Sequence, residues 1–256
     1  MTFITHHPVV LFVVSFFGLW AAAWLGATLK RRWKPDEDER QDFGVILAAT
    51  LTLLGLLIGF SFSMAITRYD QRKIYEEAEA NAIGTEYARA DLLPAADAAK
   101  VRALLKRYTE LRLRYYTADE AEIPRIDAET ARLQREMWTA VLPPPSPPAP
   151  PATPVTALIV SGMNDVLNSQ GYTQAAWWNR IPLSAALLMV TIALSCNLLL
   201  GFGLRSARPR SWMLLILPLV VAVAFMLIDD IDTPRHGLIR VVPQNLMSLL
   251  SSLDPR

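Results

Sequence analysis

The chain has 256 residues, 52% of them hydrophobic and 19% charged, with a formal net charge of +1. That balance points away from a nucleic-acid partner, and the single cysteine, Cys196, excludes a disulfide framework. Charge is missing from several runs of about 20 residues, the length that crosses a hydrocarbon core, so the sequence reads as a multi-pass, all-α membrane protein.

Residues 9–29, VVLFVVSFFGLWAAAWLGATL, form the first expected span. A signal peptide is the alternative, with Ala21-Ala22-Ala23 as a crude cleavage pattern. No basic segment precedes the run, however, and its apolar character continues to Leu29, which favours a retained helix. Residues 43–67 form the second expected span. No proline interrupts the helical pattern between it and Pro94, so residues 43–93 are expected to form one rod of roughly 75 Å, more than twice the bilayer core.

Polar helices fill the rest of an extramembrane domain over 68–141, with Val101, Leu104, Leu105, Tyr108, Leu111 and Tyr115 on one stripe and Leu133, Met137, Trp138 and Val141 on another. The run LPPPSPPAPPATP, 142–154, is a proline-rich connector of semi-rigid, extended character. An amphipathic helix over 155–180 leads to the membrane, where Trp177 and Trp178 mark an interface. The third and fourth spans are 181–204 and 212–228, with Pro218 an expected kink. The tail, 229–256, opens on an acidic motif and closes on an amphipathic helix carrying Leu246, Leu249, Leu250 and Leu253.

Lys30, Arg31, Arg32, Lys34, Arg40, Arg205, Arg208 and Arg210 lie in the two short loops, and fewer basic residues flank the opposite helix ends. The positive-inside rule therefore leans towards short loops in the cytoplasm.

Within the second span a small residue recurs every fourth position: Gly55, Gly59, Ser63 and Thr67. Such a stripe lets a partner helix approach closely in lipid. Beside it lie Ile58, Phe62 and Ile66, and on another side Leu56, Phe60 and Met64. Either trio would form an apolar constriction if several copies surrounded an axis; contact with lipid or a neighbouring helix is the alternative. Arg68 and Arg72 would then give a positive mouth, unless they serve only as interfacial anchors. Asn81, in an alanine-rich run, suits a buried register position. Asp229, Asp230 and Asp232 are candidate oxygen ligands for Ca²⁺, although their spacing fits no EF-hand loop. His6, His7 and His236 lack metal-ligand spacing, GFGLRS is no dinucleotide loop, and no catalytic motif is visible, so an enzyme is not expected.

The segments GFSFSMAITRYDQRK, EANAIGTEYARADLLP and DTPRHGLIRV resemble the bacterial bestrophin-like family, a domain of unknown function, over roughly 43–250. Bestrophins are pentameric, Ca²⁺-regulated chloride channels. The resemblance therefore implies a homo-oligomer in the bacterial inner membrane, pentameric by analogy, with the second helix lining an anion path. It also implies Ca²⁺ held by acids after the fourth span. This chain has Ile58, Phe62 and Ile66 in place of bestrophin aromatics at every fourth residue, a shorter acidic run and the added proline connector. Bestrophins also keep the helical domain and both termini in the cytoplasm, the reverse of the charge lean. The competing expectation is a non-conducting envelope scaffold or sensor whose helical domain binds partner proteins.

Overall fold

The computed structural model describes residues 8–33, 37–142, 153–203, 212–235 and 237–253. Most of the proline connector, Lys34, residues 204–211 and the three histidines lie outside those residues.

The helices in chain order are α1 (Pro8–Trp33), α2 (Glu37–Arg89), α3 (Ala95–Thr117), α4 (Ile123–Val141), α5 (Pro154–Trp178), α6 (Leu183–Gly203), α7 (Met213–Asp232) and α8 (Gln244–Leu253). No strand occurs among the described residues. Helix α2 is unbroken over 53 residues, a rod of about 80 Å. It ends in a 3₁₀ turn, Ala90–Leu92, because Leu93 precedes Pro94 and must leave the helical region; its φ is −87° and its ψ 160°. Pro94 in turn caps the start of α3. Four helices are long and apolar enough to cross a membrane: α1, α2, α6 and α7. Pro218 sits inside α7, which runs through it.

The chain separates into two compact units, Met1–Tyr69 with Arg180–Arg240, and Asp70–Asn179 with Val241–Arg256. In the first, α1 packs on α6 and α7. Helices α1 and α6 touch backbone to backbone: a Cβ at Gly26 would strike the Leu198 carbonyl, and one at Gly201 the Ala23 carbonyl. Small residues at such a crossing are what allows dispersion contacts to hold helices together in lipid. Leu54 of α2 enters the core with Leu19, Met189, Ala193, Cys196, Val221 and Phe225. Further along α2, Ala65 packs on Ile228 and Ile231.

In the second unit, α3 and α4 pair, α4 lies on α5, and α8 lies on α3. The expected stripes form this core. Val101, Leu105, Tyr108, Leu111 and Tyr115 are buried from α3, Leu133, Met137 and Val141 from α4, and Leu246 and Leu253 from α8. Trp177 closes one end against the rings of Tyr115 and Tyr116, with centroids 5.3 and 5.2 Å away.

Candidate functional site

Helix α2 is the least enclosed of the spans. Only 6% of its most apolar stretch is buried within the chain, against 44% for α7. One edge, Leu51, Leu54, Leu57 and Ile58, meets the core of its own unit. A helix turns about 100° per residue, so Leu56, Gly59, Phe60, Ser63 and Thr67 lie on the far side and Gly55 beside them, all exposed. Phe60 is 60% exposed and Phe62 38%.

Within a single chain these residues part company. The stripe Gly55, Gly59, Ser63 and Thr67 does not pack against a helix of its own chain: an added Cβ at Gly55 or Gly59 would meet nothing within 4 Å. Ile58 leaves the expected trio, because a 40° drift per four residues turns it towards the core, where it packs on both apolar clusters. Phe62 and Ile66 stay outward. Asn81 is exposed within the single chain, where it lines an open groove with Gly84, Thr85, Asn245, Ser248 and Leu249.

The charged residues after the span divide in two. Arg72 is fully buried, and its guanidinium donates to the carbonyls of Ala176 at 3.2 Å and Asn179 at 3.3 Å. It ties α2 to the end of α5 and cannot form a mouth. Arg68 lies one turn earlier and donates to Asp232 Oδ1 at 3.2 Å, leaving its side chain 14% exposed. Its charge is therefore largely answered within the chain.

Two acids of the motif are engaged by groups of their own chain. Asp230 points away from the face that Asp232 occupies, and the two carboxylates go to different duties. Asp232 Oδ2 accepts the Ile181 N–H at 2.8 Å. Asp230 accepts the N–H groups of Leu238 at 2.7 Å and Ile239 at 3.0 Å. Gly237, with φ +139°, makes that turn possible, since a Cβ there would strike Asp230 Oδ1. Among the described residues no three His, Cys, Asp or Glu side chains are grouped to hold a metal. Asp230 and Asp232 thus fix the chain that follows the fourth span, which accounts physically for the motif DTPRHGLIRV.

Sequence reasoning missed the polar interior of the second unit, where three acids of α2 face inward at Glu76, Glu79 and Glu86. Glu76 accepts from Asn245 Nδ2 at 2.6 Å and from the Leu246 N–H at 2.9 Å, holding the start of α8. Glu79 accepts from Arg112 Nε at 2.5 Å and from the Thr173 hydroxyl at 3.0 Å. Arg112 also stacks on the Tyr115 ring, 4.5 Å to its centroid. Burial, then the Glu79 charge, pushes the phenols of Tyr108 and Tyr116 well above the usual tyrosine range. Spacing held the available signal: Glu76, Glu79, Ile83, Glu86 and Ala90 follow the three-and-four rhythm of one buried helical face.

These features define a four-span helical membrane protein whose second helix continues into an extramembrane helical domain. The family model for the bestrophin-like domain matches residues 17–246, and the chain belongs to that family. Solved structures share the fold. A bestrophin homologue from Klebsiella pneumoniae superposes with a TM-score of 0.63 at 12% identity, covering 92% of this chain and 98% of that one. A single-substitution variant of that homologue gives 0.64 at 12% identity over 93% and 97%. A structure described as a membrane protein variant gives 0.62 at 12% identity over 95% and 98%. Identities this low carry the fold alone. No curated protein matches the chain.

Proposed function

We propose that this protein is one subunit of an oligomeric ion channel in the bacterial inner membrane, with copies of α2 gathered around a shared path. The observation that carries the reading is the bare face of α2, small at Gly55, Gly59 and Ser63 and flanked by Phe62 and Ile66. Small residues suit close approach between copies, and an apolar ring suits a gate that works by dewetting. Chloride or another anion is the permeant species that the family resemblance favours. Arg68 contributes less to that preference than its position suggests, because Asp232 neutralises it.

The test is chloride flux from purified protein in liposomes. The reading expects flux well above that of empty vesicles, altered by Phe62→Ala. Flux equal to empty vesicles, with and without Ca²⁺ and across pH, contradicts it and leaves the non-conducting scaffold. In the proposed arrangement residues 68–141, the helix over 155–180 and the tail lie outside the bilayer, with the proline connector between them as a spacer.

A further inference from the structure

Glu86 takes no part in the path described above, yet its environment is unusual. It is fully buried on α2, and neither carboxylate oxygen accepts a hydrogen bond from the described residues. Opposite it lies Gly162, buried near the middle of α5. A Cβ at Gly162 would overlap Glu86 Oε2 and Arg89 Nη1, so the glycine leaves the space the two side chains occupy. The charged groups acting on Glu86 are Arg89 on its own helix, 3.8 Å away, and Asp165, one turn along α5. Arg89 is 27% exposed and too distant to donate a hydrogen bond. Asp165, exposed to solvent, opposes ionisation.

A buried carboxylate whose oxygens accept no hydrogen bond is costly, whereas a neutral carboxyl in the same place is far less so. We propose that Glu86 is a proton-binding site that sets the contact between α2 and α5: protonated, it seats against Gly162; ionised, it loosens that half of α5. The inference does not depend on the chain conducting ions.

Burial, reduced by Arg89 and reinforced by Asp165, raises the Glu86 carboxyl to about 7. The sign follows from linkage. The packed state binds the proton more tightly than a state in which Glu86 meets water, so the contact is strongest in acid. Its stability falls as pH climbs from the ordinary carboxyl value of 4.5 to about 7, then levels off. Between about pH 5.5 and 8 the local opening constant should rise about 30-fold.

Hydrogen exchange of full-length protein in detergent, corrected for intrinsic rates, reads this directly over residues 156–168. The expected result is about a 30-fold loss of protection in the wild type and under about 3-fold in Glu86→Gln. A wild type with no pH response, or a Glu86→Gln variant with the full response, overturns the proposal. Infrared spectra of the unmodified protein give a second reading that needs no variant. A protonated-carboxyl band should vanish with a midpoint at about 7, and its absence in mild acid overturns the proposal too.

Discussion

Replacing Arg112 by methionine removes the one charged partner that Glu79 has at hydrogen-bonding distance among the described residues. Both side chains are fully buried in the ion pair, and the variant leaves Glu79 with the Thr173 hydroxyl. Breaking a buried pair by deleting one partner costs about 3–5 kcal/mol, because an uncompensated charge stays in the interior. At 1.4 kcal/mol per decade, the lower bound is a rise of roughly 150-fold in the opening constant. Hydrogen exchange over residues 105–116 should show that increase. The double variant Glu79→Gln/Arg112→Met should recover much of the protection, since it removes both charges and keeps similar volumes. A rise below about 10-fold for Arg112→Met, or a double variant no better than the single, would refute the view that this pair ties α3 to α2.

At the α1–α6 crossing, Gly201→Leu should lower stability by about 1–3 kcal/mol, read as a reduced melting temperature, because its Cβ would meet the Ala23 carbonyl; an unchanged melting temperature contradicts the close crossing. Removing Ca²⁺ with a chelator should leave the melting temperature unaltered, since Asp230 and Asp232 are spent on backbone amides; a Ca²⁺-dependent rise would restore the cation clasp. Light scattering in detergent should give a protein mass several times 28.5 kDa, and a mass equal to one chain would contradict self-assembly.

Much of the fold was legible because it rests on length and on breaks. Four apolar runs have spanning length, and the absence of proline from 43 to 93 is what lets α2 continue, with Pro94 stopping it. The buried stripes of α3 and α4 were readable for the same reason: helical periodicity is local. The site was less legible because its partners are distant in sequence. Arg68 and Arg72 look alike as a terminal pair, yet they bond to residues 164 and 104 positions away. Asp229 and Asp232 share a helical face while Asp230 points away from it, and Asp230 and Asp232 bond to groups that their spacing does not reveal. Glu79 and Arg112, 33 residues apart, carry no motif, although inward acids spaced three apart on α2 were a readable sign of a polar interior.

The most direct measurement places one cysteine at Ile66, an exposed position of the proposed apolar ring on α2, in a Cys196→Ser background, and follows chloride flux while a charged, membrane-impermeant thiol reagent is added. The account predicts that modification at residue 66 blocks or sharply reduces flux. Flux that persists unchanged after complete modification would contradict the claim that this face of α2 lines the path.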